Sequence, residues 1–136
     1  MIFDFSITYK AHPKNGEIRM THDEVVGLFD TWNAALATLD PDSVTALYAD
    51  DAVLLPTVSN QVRHNHEEIR DYFVSFLQKK PQGVIDESNV SVLSETHATN
   101  SGVYTFTFGD GSSVTARFSY LYAVSYTHLR AHETIA

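Results

Sequence analysis

Two short stretches carry side chains that could do acid–base or metal chemistry. Asp50 and Asp51 adjoin, and paired carboxylates can act as general acid and general base when their surroundings separate their pKa values. Their place at the end of a helical pattern reads instead as a solvated turn, where aspartates usually sit. His64-Asn65-His66-Glu67 could offer two imidazoles and a carboxylate to a metal, because alternate residues of an extended chain share a side. No distant third ligand accompanies them. A loop entering an Asn65-capped helix, with Glu67 and Glu68 in its first turn, accounts for the same residues. His128 and His132 have the i, i+4 spacing of helical metal ligands but receive no role. The chain has no cysteine, which removes thiolate metal sites, disulfides and Cys nucleophiles. No Gly-rich phosphate loop and no Ser in a nucleophile elbow occur. No catalytic residue, metal or cofactor is expected.

The elements that position these residues begin at Thr21, which with Glu24 forms a capping box. Val25, Leu28, Phe29, Trp32, Ala35, Leu36 and Leu39 follow at helical spacing. Asp40-Pro41 supplies an N-cap and an N1 proline for a short second helix carrying Val44, Leu47 and Tyr48. Ala52-Val53-Leu54-Leu55 before Pro56 predicts a short buried strand. A third helix starts at Asn65, with Ile69, Tyr72, Phe73, Phe76 and Leu77 on its apolar face, and Pro81 and Gly83 close it. The period then changes from about 3.6 to 2, which predicts strands near 84–96, 102–109 and 113–124. Gly109-Asp110-Gly111 turns the last pair. Tyr104, Phe106, Phe108, Phe118, Tyr120 and Tyr122 share one parity, and Thr105, Thr107, Thr115, Arg117 and Ser119 the other. Helices first and an antiparallel sheet afterwards is an α+β layout, in which the aromatic face meets the helices.

Composition narrows the class of partner. At 136 residues the chain suits one domain, which hides about two thirds of its unfolded surface. Net charge is −8, and between Thr21 and Lys80 ten acidic residues stand against four basic ones, so a nucleic-acid partner is not expected. The apolar stretches are broken by charges before the roughly 18 residues a membrane span needs. Asp4 interrupts the apolar part of residues 1–20, and no Lys or Arg precedes it, unlike an export signal, so the cytoplasm is expected.

Trp32-Asn33-Ala34-Ala35-Leu36-Ala37 and Leu47-Tyr48-Ala49-Asp50-Asp51-Ala52-Val53 resemble the opening of NTF2-like proteins. Leu55-Pro56-Thr57-Val58-Ser59-Asn60, Glu68-Ile69-Arg70-Asp71-Tyr72-Phe73, Gly102 to Phe108 and Ala116-Arg117-Phe118 resemble bacterial relatives of the calcium/calmodulin-dependent protein kinase II association (hub) domain. The likeness covers residues 21–124. Residues 1–20 read as a peripheral arm or a non-native leader. Ser125 to Ala136 resembles translated adapter sequence found at the ends of metagenomic gene calls, so 125–136 reads as a non-native tail, and His128 and His132 fall within it. The family would add a final strand here, so its loss predicts an open sheet edge.

The resemblance implies a cone in which three N-terminal helices pack into a curved antiparallel sheet, with a pocket at the open end. It also implies self-association as a homodimer or ring through the outer sheet face, where Arg117 is the candidate interface residue; an ordinary solvated face fits the same residues. Hub domains carry an arginine at the place of Arg70 and direct it into the pocket. A guanidinium there could bind a carboxylate in bidentate fashion, with Trp32, Tyr104 and Tyr120 adding stacking surface and hydrogen bonds. Alternatively, Arg70 meets surface carboxylates and the aromatics are core. Further hub-pocket arginines correspond to Phe106 and Tyr120, so this pocket is expected to be less basic. Ketosteroid isomerase, another NTF2-like protein, uses a carboxylate base and a Tyr/Asp oxyanion hole. Trp32 and Leu55 occupy the places of its tyrosine and base, which argues against that chemistry. The expected function is a non-catalytic oligomerisation and small-ligand-binding module for a small anionic organic molecule. The alternative is an NTF2-like cyclase, isomerase or dehydratase.

Overall fold

The computed structural model describes residues 2–9, 20–56 and 59–124. The expected tail at 125–136 and part of the expected arm lie outside the described residues. Helix α1 spans His22–Ala37, α2 Pro41–Thr45 and α3 His66–Phe76, the last continued by a 3-10 turn at Leu77–Lys79. Each α-helix starts where its cap predicts. The Thr21 hydroxyl accepts from the Glu24 amide at 3.2 Å, Asp40 accepts from the Asp42 amide at 3.1 Å, and Asn65 from the Glu68 amide at 2.9 Å. These bonds satisfy amides that the first turn leaves unpaired.

Four strands form one sheet in the order β1-β4-β3-β2, with β1 at Ile2–Tyr9, β2 at Gln82–Val92, β3 at His97–Thr107 and β4 at Ser113–Val124. Strands β2, β3 and β4 are antiparallel neighbours, and the helices lie before them in the chain, so the fold is α+β as expected. Strand β3 begins at His97, five residues before the sequence suggests. Its first half, His97-Ala98-Thr99-Asn100-Ser101-Gly102, has no large apolar side chain to reveal the alternation. The strand expected at 52–55 is reduced to isolated bridge residues, with Leu54 paired to Arg63. Pro56 has no amide hydrogen and stops further pairing. Within the arm at 1–20, β1 pairs in parallel with β4 from Ile2↔Arg117 to Tyr9↔Val124. It lies along the β4 edge that was expected to be open.

The core lies between α1, α3 and the inner sheet face, where Val25, Phe29, Trp32, Leu36, Ile69, Phe73, Tyr104, Phe106, Phe118, Tyr120 and Tyr122 are buried. Two glycines permit close approach. A Cβ on Gly83 would lie 2.9 Å from Phe106 and 3.0 Å from Phe29. One on Gly102 would collide with the Glu87 carbonyl, beside the irregularity in β2 between Ile85 and Glu87. Asn33 of α1 grips the β2 backbone, donating to the Gly83 carbonyl at 3.0 Å and accepting from its amide at 2.9 Å. The side chain thus completes the edge strand as a neighbouring strand would. Among the described residues no helix is long and apolar enough to cross a membrane.

Because the obstacle at Gly102 is backbone, Gly102→Ala is expected to lower unfolding free energy by about 1–3 kcal/mol, a typical overpacking cost. Urea denaturation of both proteins checks this. An unchanged midpoint would show that β2 relaxes around a methyl group.

Candidate functional site

The helices and sheet bring one set of side chains together inside the domain. On β4, alternation turns Ala116, Phe118, Tyr120, Tyr122 and Val124 inward, and on β3 Ala98, Asn100, Tyr104 and Phe106. Trp32 of α1 meets Tyr120 at 6.2 Å between ring centroids, Phe106 at 5.9 Å and Phe73 of α3 at 6.5 Å. Tyr120 lies 5.6 Å from Tyr122, and Tyr104 5.1 Å from Phe118. Behind α2, Tyr48 is buried and accepts a 3.1 Å hydrogen bond from Trp32 Nε1.

The polar atoms here are almost all potential donors. Burial pushes the phenols of Tyr48, Tyr72, Tyr104, Tyr120 and Tyr122 above their ordinary value. Around Tyr104 and Tyr120 the neighbouring phenols add to that rise. Asn100 is fully buried, and its Oδ1 accepts from Ser88 Oγ at 2.7 Å. Its Nδ2 and the Tyr122 hydroxyl have no hydrogen-bond partner among the described residues. Such buried groups cost free energy until an acceptor reaches them. The only buried polar or charged residues described are Thr45 and Asn100. The interior therefore presents buried donors without acceptors, and at neutral pH its phenols keep their protons.

Of the expected site residues, Trp32, Tyr104 and Tyr120 come together, and Arg70 does not join them. The buried face of α3 is set by Ile69 and Phe73, so Arg70 falls on the outer side. There its Nε donates to Asp42 Oδ1 at 2.7 Å with the side chain half exposed, tying α3 to α2. The arginine nearer the phenols is Arg63. Its side chain is 12% exposed, and its guanidinium carbon is 5.9 Å from the centre of the Tyr72 ring. Nη1 donates to the Glu68 carbonyl at 3.1 Å and to Asp71 Oδ2 at 3.0 Å, while the buried Nε has no partner among the described residues. The sequence signal was slight: one basic residue in a loop, facing the acidic first turns of α3.

The other candidates separate. His66 Nε2 lies 2.8 Å from the Tyr48 carbonyl and 3.2 Å from that of Ala49, closing the turn behind α2, with exposed Asp50 at 3.7 Å. His64 Nδ1 instead meets Glu68 Oε1 at 2.9 Å, so the two imidazoles face different partners. Arg117 is exposed on the outer sheet face. Beside it runs a ladder of hydroxyl pairs, Thr105 with Thr115 at 2.9 Å and Ser101 with Ser119 at 3.1 Å.

Residues 21–127 match the model of the calcium/calmodulin-dependent protein kinase II association domain. A structure from Xanthomonas campestris, described as such an association domain, shares 39% identity with a TM-score of 0.67, over 85% of this chain and 94% of that one. The association domain of Caenorhabditis elegans kinase II, written C. elegans CaMKII, shares 16% identity with a TM-score of 0.54, over 73% and 92%. Aln2 from a Streptomyces species shares 13% with a TM-score of 0.58, over 83% and 99%; likenesses at this identity concern the fold. No curated protein matches the chain.

Raised phenol pKa values set the alkaline limit of stability. Below the unfolded value of about 10 the native and denatured states bind the same phenolic protons, and this contribution to stability is fully present. As pH rises above it, the denatured chain ionises first and stability is lost. The five tyrosines with raised values should therefore ionise together with loss of near-ultraviolet circular dichroism. Phenolate absorbance from all of them near pH 10 in a chain with intact dichroism would contradict the closed interior.

Proposed function

The chain belongs to the calcium/calmodulin-dependent protein kinase II association-domain family, and from that footing we propose that it is a non-catalytic module that self-associates and binds a small anionic organic molecule in its interior, in the cytoplasm. The observation that carries the ligand reading is the pair of buried donors at Asn100 and Tyr122, set beside the aromatic surfaces of Trp32, Tyr104 and Tyr120. A carboxylate or carbonyl oxygen would satisfy those donors, and the flanking rings would pack against its organic part. No inward-facing carboxylate or imidazole among the described residues supplies a general base, so binding is favoured over turnover.

Self-association is supported by the outer face of β3 and β4. Its hydroxyls are paired with one another across the strands, whereas Arg117 has no ion-pair partner among the described residues. An exposed guanidinium beside the exposed Leu121 fits a contact with a second copy, since Arg is enriched at interfaces.

The chain at micromolar concentration should give dimers or larger rings in mass photometry, and Arg117→Glu should shift them toward monomer; a monomeric parent would refute assembly. For the interior, thermal shift against a panel of small carboxylates tests binding. Tyr122→Phe should keep or raise unliganded stability by about 1 kcal/mol, because it removes an unpaired buried hydroxyl. It should also reduce the ligand-induced shift, and an equal shift in parent and variant would remove Tyr122 from the site. With Asp42 holding its guanidinium, Arg70→Ala is expected to leave that shift unchanged, and a loss would return Arg70 to the pocket.

A further inference from the structure

A surface cleft lies away from the aromatic interior. It is a cleft of about 540 Å³ between the end of α3 and the β3–β4 hairpin, lined by Lys79, Lys80, Phe108, Gly109, Asp110 and Ser112 among others. Backbone bonds hold its walls. The Gly109 amide donates to the Lys79 carbonyl at 2.9 Å, joining hairpin to helix end, and the Phe108 amide donates to the Ser112 carbonyl at 2.8 Å. A Cβ on Gly109 would come within 3.1 Å of the Lys80 side chain, so the glycine leaves room for that side chain against the hairpin.

Three features of this cleft point to an anion. First, the chain has an excess of acid, yet its described cations divide unevenly. Arg63 and Arg70 are paired with Asp71 and Asp42, while Lys79 and Lys80, both at the cleft, and Arg117 on the outer sheet face are in no ion pair among the described residues. Second, Lys80 occupies a left-handed backbone position, φ 51°, where a helix end ordinarily takes glycine. A non-glycine residue there carries a conformational cost, with no intramolecular ion pair among the described residues to offset it. Third, Lys79 Nζ stands 5.8 Å from the centre of the Phe108 ring. The cation is thus placed beside an aromatic surface, which itself packs at 87° to Phe76. The carboxylate of Asp110 is held by the Ser112 amide at 2.9 Å and hydroxyl at 2.6 Å. Two ammonium groups less one carboxylate leave the cleft with a single positive charge, which matches a monoanion.

We propose that this cleft binds a small aromatic monocarboxylate, with the carboxylate between the ammonium groups of Lys79 and Lys80 and the ring against Phe108. The site is separate from the interior described above and does not depend on it. The competing account is that the two lysines only complement the negative end of the α3 dipole.

The test is an amide NMR titration of the full chain with benzoate, with benzamide as the neutral isostere. Benzoate should shift the amides of Gly109, Gly111 and Ser112, and benzamide at the same concentration should not. Lys80→Gly keeps the backbone conformation and removes the charge. It should weaken benzoate binding by about tenfold, the loss of one charge-assisted contact, while its melting temperature stays equal or rises. Lys79→Gln should weaken binding to a similar degree, and Tyr122→Phe should leave the hairpin shifts untouched. The proposal is overturned if benzoate moves no hairpin amide at millimolar concentration or if benzamide moves them equally. It is also overturned if Lys80→Gly lowers the melting temperature and leaves binding intact, as a dipole role requires. Shifts confined to the amides around Asn100 and Tyr122 would refute the cleft and support the interior site, so the two readings fail separately.

Discussion

The arrangement depends on the burial of one indole. Trp32 is 2% exposed, and burying so large a side chain contributes on the order of 3–5 kcal/mol. Its N–H needs an acceptor inside the protein, and that need places Tyr48. The carbonyl of Tyr48 in turn lies within hydrogen-bond reach of His66 Nε2, at the first residue of α3. Helices α1 and α3 are thus joined by two hydrogen bonds through one tyrosine in the turn that follows α2. On the opposite side of the indole, Phe106 and Tyr120 fix where β3 and β4 cross α1. Packing and hydrogen bonding thus specify the same arrangement, the consistency expected of a sequence with one dominant fold.

Once Trp32 fixes the inner face, the outer face has no freedom left. Residues alternate, so placing Phe118, Tyr120 and Tyr122 inward obliges Arg117, Ser119 and Leu121 to point outward. The irregularity in β2 shifts its alternation once, and Gly102 accommodates the displaced Glu87 carbonyl without a side chain. Asn33 then secures the edge of β2 from the helix side. The surface available for assembly is therefore a by-product of core packing. Its chemistry, hydroxyl side chains with Arg117 and the exposed Leu121, is what the sequence was free to choose.

How much of this was legible in the sequence follows from how local each signal is. The three helices could be placed because Thr21, Asp40 and Asn65 act on amides two or three residues away. The aromatic parity of β4 was readable for the same reason, since alternation is a local pattern. The first half of β3 was not, because Asn100 and Gly102 stand at inward positions that usually carry large apolar residues. Strand β1 also escaped notice, since a parallel edge strand is defined by a partner more than a hundred residues away. Arg70 was expected in the pocket from a resemblance of sequence. Helix phase overrides that expectation, because a residue next to buried Ile69 points some 100° around the helix from it. Arg63 had no periodic signal, and only the fold of its loop brings it against Tyr72.

On the proposed readings, the interior donors and the hairpin cleft recognise an anion in different ways. In the interior, burial keeps every described phenol neutral, so selectivity rests on directed hydrogen bonds from groups that cannot follow a misplaced acceptor. Those bonds are strengthened by the low dielectric, and an acceptor that leaves one donor unpaired loses more than it would in water. At the cleft, lysine ammonium groups on flexible stems are solvated and attract charge with little demand on geometry. Salt should therefore weaken the cleft far more than the interior, because screening acts on exposed charges and spares buried dipoles. Arg63 stands between these regimes. It is paired with Asp71 and buried at Nε, and its guanidinium lies against the Tyr72 ring.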